Sequence, residues 1–381
     1  MNRQIVEFIK NIYANEYPVL LHRPIFIGNE KEYMAKCIDT SYVSYVGEFV
    51  NKFEKMVAEF TGAKYAVATV NGTSALHISL KLAGVKEGDE VLTQALTFVA
   101  TVNAISYCGA KPIFVDSDMN NLGMSAEKLE QFLRNETVIG DDGFCHNKTT
   151  GRRIVSCVPV HIFGHSVRID KICEICNKYN ILVIEDSAES LGSYYKGQHT
   201  GTFGIIGVLS FNGNKVITTG GGGMILTNDE ELAKRAKHIT TTAKIPHKWE
   251  FDHDEIGFNY RMPNINAAVG CAQMENIQLF LKDKREISCL YREFFNSINL
   301  GYVGEPEFCQ SNYWLNAILV KDVEQRGHLL EYTNKEGVMT RPVWILMNKL
   351  AMYKNAQTTN LENAKWLEAR IVNIPSSVRM V

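Results

Sequence analysis

Along this chain, apolar runs bounded by turn residues keep giving way to stretches with helical spacing. The runs predict strands at Tyr65–Val70, Glu90–Leu92, Pro112–Val115, Ile154–Val160 and Ile181–Ile184. Between them, the helical period predicts helices over Thr73–Leu82, Phe98–Tyr107, Ser125–Phe132 and Ile169–Tyr179. Such alternation requires crossover connections, and so a mainly parallel sheet with helices on both faces. Residues 1 to about 60 predict helices and short connectors, with Phe53, Met56, Val57 and Phe60 on one helical face. Ahead of that face, Thr40–Glu48 reads as a hydroxyl-bearing loop.

The rhythm changes near Gly207. Two strands, Val208–Phe211 and Gly223–Thr227, precede a helix over Glu230–Lys237 and a polar loop over Thr240–Glu255. A long helix opens after Pro263, where proline suits a helix start, and runs with a break to Phe295. The last segment, from about residue 300, has short strands and helices of its own. The expected division is therefore a large domain over 1–265 and a linking helix with a smaller α/β domain over 266–381. Gly140–Arg153 is polar and turn-rich, and reads as a surface insertion shaped as a small hairpin.

Composition narrows the class. The 381 residues suffice for a large core, and 45% hydrophobic with 22% charged residues is ordinary for a globular enzyme. A net charge of −2 gives no field to draw nucleic acid or an anionic membrane. The first ten residues mix charge with apolar positions at helical spacing, and no apolar run reaches spanning length, so the expected compartment is the cytoplasm. Nine scattered cysteines argue against a disulfide framework. Cys173 and Cys176 fall on one helical pattern with no second pair at zinc spacing, so they read as packing and no metal is expected. Asn147-Lys148-Thr149 matches a glycosylation sequon by chance in such a compartment.

Three stretches carry chemistry. Lys215 stands between an apolar strand ending at Phe211 and the run Gly220–Gly223. A lysine at the end of a buried strand is costly to keep charged, and the free amine can attack a carbonyl. The glycines would let a bulky planar group come close. Val183-Ile184-Glu185-Asp186 runs a strand into a carboxylate at its C-terminal end, where open α/β sheets bind ligands. Val70-Asn71-Gly72-Thr73-Ser74 turns from strand into helix, and free N–H groups at a helix start suit a phosphate. Each signal is weak alone. Together they are the three anchors of pyridoxal 5′-phosphate: Lys215 for the Schiff base, Asp186 for the pyridine nitrogen, and Gly72, Thr73 and Ser74 for the phosphate.

With these words in view, the chain resembles the DegT/DnrJ/StrS family of sugar-nucleotide aminotransferases over nearly its whole length. Ala66–His77, Ile184–Ser193, Phe211–Met224 and Gly257–Met262 carry the resemblance, and His146–Arg153 resembles an insertion of the LegC-like group. The resemblance implies the aspartate-aminotransferase (type I) fold and amination by L-glutamate, with the cofactor passing through its pyridoxamine form. Its LegC-like and PglE-like members imply as substrate the C4 ketone of a UDP-linked 4-keto-6-deoxy-N-acetylhexosamine, in legionaminic acid or bacillosamine-type biosynthesis. C3 amination and a dTDP or GDP carrier stay open. By resemblance, Ser210 joins the phosphate site, Phe98 stacks on the ring opposite Ala188, and Glu189 sits beside the cofactor hydroxyl. Asn259 would reach the phosphate of a neighbouring subunit, implying an obligate homodimer with shared sites. His161, Asn212, Tyr313 and Arg341 are candidates to face the sugar nucleotide.

Other classes fit less well. A dehydratase branch of the family carries histidine in place of the lysine, and Lys215 argues against it. A regulatory domain that had lost its chemistry would not need Lys215, Asp186 and the cradle together. A nicotinamide dehydrogenase would want G-x-G-x-x-G after the first strand, where Asn71-Gly72-Thr73-Ser74 stands.

Overall fold

The computed structural model describes residues 1–14 and 16–379. Three helices, α1 (Asn2–Ile12), α2 (Glu30–Asp39) and α3 (Glu48–Thr61), precede the first strand, β1 (Tyr65–Thr69). There follow α4 (Gly72–Leu82), β2 (Glu90–Gln94), α5 (Val99–Tyr107), β3 (Lys111–Val115) and α6 (Ala126–Glu136). A hairpin of β4 (Thr137–Ile139) and β5 (Cys145–Asn147) leads into β6 (Arg153–Val158), α7 (Ile169–Lys178) and β7 (Leu182–Asp186). After the short β8 (Tyr194–Tyr195) and β9 (Gln198–His199) come β10 (Ile206–Ser210), β11 (Gly223–Thr227) and α8 (Glu230–Thr240).

The main sheet has the order β1-β11-β10-β7-β6-β2-β3, with β5 beside β6 and β4 beside β5. Strands β3, β2, β6, β7 and β10 pair in parallel, while β11 lies antiparallel to both neighbours. The mainly parallel sheet expected from the strand–helix rhythm is therefore present. Because β11 runs antiparallel to both β1 and β10, these two and β7 point the same way and their C-terminal ends emerge on one edge. Helices cover both faces: α4 and α8 pack over Val67, Ile184, Val208 and Ile225, and α3 with α9 (Asn264–Glu275) over Ala66, Leu209 and Met224.

The long predicted helix is two, α9 and α10 (Ile277–Ser297), broken at Asn276. Beyond it, β12 (Gly301–Tyr302), β14 (Asn316–Leu319), β16 (Ile371–Ile374) and β15 (Arg341–Pro342) form an antiparallel sheet, while β13 (Cys309–Gln310) pairs with β8. Two helices, α11 (Val323–Lys335) and α12 (Glu362–Arg370), complete this second body.

Ile5, Val6 and Ile9 of α1 are buried against Tyr291, Phe295, Ile318 and Ile374, so the N-terminal helix belongs with the second sheet. Helix α9 instead packs on α2 and α3. We propose grouping α1 and α10 onward as one body and α2 to α9 as the other.

The Gly140–Arg153 insertion is the expected hairpin, but it is not wholly superficial. Asn147 is fully buried and its Nδ2 donates to Glu90 Oε2 at 2.7 Å and to Gln357 Oε1 at 2.6 Å. The sequon is thus inaccessible in the folded chain. Cys176 is buried and Cys173 half-buried in the α7 face, as packing residues. Among the described residues, no helix is long and apolar enough to cross a membrane.

One buried ion pair ties the first body together beside the site edge. Glu54 Oε1 accepts from Arg261 Nη2 at 2.9 Å and from the Ala68 amide at 2.9 Å, while Arg261 Nη1 donates to Ala68 O at 3.0 Å. Both side chains are nearly enclosed, so removing one partner strands a charge. Glu54→Ala should lower stability by about 3–5 kcal/mol, measurable as a reduced urea midpoint; a loss below 1 kcal/mol would mean that water reaches Arg261.

Candidate active site

The converging strand ends are held in register at three neighbouring positions. Gly223 at the start of β11 faces Thr69 of β1 on one side and Ser210 of β10 on the other. In the parallel pair β10–β7, Val208 lies beside Asp186. A Cβ at Gly223 would stand 2.4 Å from Asn71 O and 2.7 Å from Gly72 N. Glycine is needed there so that β11 can press against the turn into α4. This corrects the expectation that the glycine run makes room for a planar ligand: side chains at Gly222 and Gly223 would meet Thr219 and the Asn71 backbone, and none of Gly220–Gly223 lines the cavity.

That turn is a built helix start. Asn71 is extended and its Oδ1 accepts the Ser74 amide at 2.7 Å, while the Ala75 amide bonds to Asn71 O at 3.1 Å. The N–H groups of Gly72 and Thr73 are left for a ligand. Ser74, expected beside them, has its amide committed to Asn71 and does not line the cavity, whereas Gly72, Thr73 and Ser210 do.

The cavity measures about 320 Å³ and brings together Gly72, Thr73, Phe98, Asp186, Ala188, Glu189, Ser210, Asn212 and Lys215. Asp186 is buried at the end of β7. Its Oδ2 accepts from the Thr101 hydroxyl at 2.7 Å and its Oδ1 from the Ala188 amide at 3.2 Å. Burial pushes its carboxyl upward, and these two donors with nearby Lys215 offset part of that rise. Phe98 is the residue before α5 and is half exposed at the cavity wall.

Lys215 does not end a strand. It lies in the turn between β10 and β11, its amide bonded to Asn212 O at 3.0 Å. Its Nζ stands 3.4 Å from Glu189 Oε1 and 3.8 Å from the centre of the Trp314 ring. Glu189 Oε2 accepts the Phe163 amide at 2.9 Å. Burial raises the Glu189 carboxyl to about 7, opposed chiefly by Lys215.

Besides Ser74, four sequence candidates lie outside the cavity lining. His161 is fully buried behind β7: its Nδ1 accepts the Val167 amide at 3.3 Å, so Nε2 donates to Glu185 Oε2 at 3.0 Å. Glu185 also takes the amides of Gly201, Phe203 and Gly204, making this a structural anchor rather than a substrate contact. Tyr313 has a left-handed backbone (φ 49°) that turns its ring away against His165, and it is the next residue, Trp314, that faces the cavity. Arg341 is exposed on β15 and bonds to Asn334 Oδ1 and Thr340 O. Asn259 is exposed on the segment that pairs with Thr241.

Asn71, Thr101 and Trp344, which the sequence left without a role, also line the cavity, as does Trp314 from the stretch Tyr313–Asn316 expected to face the sugar nucleotide. Asn71 was legible as a helix N-cap. Thr101 lies four residues after Thr97, on one face of α5 (their hydroxyls are 3.0 Å apart), but nothing local aims it at Asp186.

These residues fit pyridoxal 5′-phosphate. Free N–H groups at the start of α4, the Ser210 hydroxyl, a buried carboxyl with its own donors and an amine all line one cavity. The DegT/DnrJ/EryC1/StrS aminotransferase family model matches residues 25–381. The chain belongs to this family. It is similar to the GDP-perosamine synthase of Escherichia coli O157:H7, 39% identical over 93% of this chain and 92% of that one. The GDP-perosamine synthase of Caulobacter vibrioides is 33% identical over 93% and 91% of the two chains. Among solved structures, the aminotransferase TlmJ from Streptoalloteichus hindustanus superposes with a TM-score of 0.85 at 25% identity, covering 94% of this chain and 93% of that one.

The fold is accordingly the type I fold of pyridoxal-phosphate enzymes, as the sequence implied. DegT-family aminotransferases use pyridoxal 5′-phosphate, and this member is a sugar aminotransferase. The GDP-sugar names of these relatives differ from the UDP-linked substrate that the LegC-like and PglE-like resemblance implied.

Glu189 gives a pH dependence with a definite sign. In the folded apoprotein it takes up a proton near pH 7, against an ordinary value of 4.5. Its contribution therefore favours the folded state at low pH and is lost as pH rises through this window, by up to about 3 kcal/mol. The wild-type apoprotein should lose more stability than Glu189→Gln between pH 5 and pH 8, followed as urea midpoints. Equal losses would show that Glu189 is ionised throughout.

Proposed function

We propose that this aminotransferase moves the amine of L-glutamate onto the C4 ketone of a nucleotide-linked 4-keto-6-deoxy sugar, with Lys215 as the reacting lysine. The observation that carries the reading is the Lys215–Glu189 pair, at 3.4 Å, in the same cavity as buried Asp186 and the open start of α4.

Each residue then has a task. Gly72, Thr73 and Ser210 hold the phosphate through N–H and hydroxyl donors. Asp186, kept in place by Thr101 and Ala188, holds a proton on the ring nitrogen, and that cation returns the cost of burying the carboxylate. Phe98 and Ala188 flank the ring. Bound there, pyridoxal phosphate supplies an electron sink and carries the amine between donor and ketone. In each half of the reaction, Lys215 Nζ takes a proton from the carbon giving up the amine and delivers it to the carbon receiving it.

Two carriers are supported by different observations. The resemblance of His146–Arg153 to the LegC-like insertion favours UDP and an N-acetylated sugar. The identity of 39% to a protein named for GDP-perosamine favours GDP. Asn212 at the cavity wall, and Trp344 where the second body meets it, are in place to contact the sugar nucleotide.

A homodimer with shared sites is part of the reading. Tyr42 and Val46, with Trp249, Phe251 and Ile256, expose large apolar side chains on the loop before α3 and on the segment leading to Asn259. Such apolar surface is characteristic of an interface, and a partner there would receive Asn259.

The purified protein should absorb as lysine-bound pyridoxal phosphate and lose that band on adding L-glutamate. Whichever of the UDP- and GDP-linked 4-keto-6-deoxy sugars restores the band identifies the carrier; restoration by neither would end the substrate reading. Lys215→Ala should lack both band and turnover, and Asp186→Asn should turn over at least about 100-fold more slowly. Mixing Lys215→Ala with Asn259→Ala subunits should recover up to about a quarter of wild-type activity, because half the dimers then hold one intact site. Activity no greater than that of the parents would show that the sites are not shared.

A further inference from the structure

Trp314 is buried in an apolar cluster and hydrogen-bonded on several sides, and the Lys215 amine stands 3.8 Å from the centre of its ring. Its backbone N–H donates to Asn312 Oδ1 at 2.7 Å, and its indole N–H donates to Asn214 O at 2.5 Å. Its carbonyl accepts from Lys284 Nζ at 3.3 Å, a buried lysine of α10 that also donates to Ser376 O at 2.6 Å. Asn312 is itself fully buried, and its Nδ2 donates to the carbonyls of Glu189 and Leu191, each at 2.9 Å. One asparagine therefore sets both groups that meet Lys215: the Glu189 segment through its amide nitrogen and Trp314 through its oxygen. Tyr313 between them holds a left-handed backbone, a conformation kept only where the surroundings over-determine it.

This placement suits a cation. The face of a tryptophan ring is the most favourable aromatic surface for an ammonium, more so where water is excluded. Trp314 and Glu189 are buried, and the lysine side chain is only slightly exposed.

We propose that Trp314 is a positioning residue that docks the Lys215 ammonium between its two proton transfers. The assignment rests on Lys215 being the proton-moving lysine. When the amine takes a proton from the carbon giving up the amino group it becomes an ammonium, and when it delivers that proton to the carbon receiving the group it is neutral again, with nothing else gained or lost. In between, the indole face and the Glu189 carboxylate hold Nζ over the cavity and keep the flexible side chain from wandering.

Two readouts test this, on Trp314→Leu and Trp314→Phe. In the apoprotein, labelling of Lys215 by an amine-reactive reagent is followed by peptide mass spectrometry, with exposed Lys55 as internal standard. Loss of the dock should speed labelling of Lys215 about fivefold in the Leu variant and about twofold in the Phe variant, which keeps a weaker ring. In the holoenzyme, stopped-flow transfer from L-glutamate should slow about tenfold in the Leu variant, with a larger isotope effect from 2-deuterated glutamate and half-saturation changed less than about twofold. Wild-type labelling and wild-type isotope effects in either folded variant would overturn the dock, and the Phe variant serves if the Leu variant does not fold. Failure of the underlying reading would look different: Lys215→Ala would still transfer the amine with an isotope effect.

Discussion

The site depends on how closely β11 approaches the turn into α4. Gly223 pairs with Thr69 and Ser210 at once, and no side chain fits between it and Asn71. That contact places the open helix start beside the end of β10 and sends the chain from Ser210 into the loop that carries Lys215. Any larger residue at 223 would press on the Asn71 and Gly72 backbone and disturb the start of α4 beside Ser210.

Around this fixed edge the protein buries charge that it can use. Asp186, Glu189 and Lys215 share one cavity, and burial raises both carboxyls. Each is kept in place by donors from a different element: Thr101 from α5, the Phe163 amide from the loop after β6, and Ala188 from the turn after β7. Low dielectric makes such groups costly when unpaired and strong when paired.

The second body also walls the cavity. Trp314 and Trp344 reach the cavity from it, and Asn312 and Lys284 fix Trp314 in turn. Because α1 packs on that same body, the two ends of the chain jointly support the wall facing Lys215.

Much of this was legible in the amino-acid order. The strand–helix rhythm determined the parallel sheet, because each apolar run is too short to do anything but cross it. Strand-end Asp186, the Asn71–Thr73 helix start and Lys215 announced the cofactor, because each depends on local backbone direction and local charge. Residues set by contacts between distant segments were not legible. His161 reads like a site residue, yet Glu185 and Val167 claim both of its nitrogens. Tyr313 and Trp314 are neighbours of equal promise, and a single left-handed torsion decides which one faces the lysine. Thr101 and Asn312 gain their roles only from partners 85 and 123 positions away. Sequence determines what a segment can form by itself, and only the packed chain decides which side chains meet.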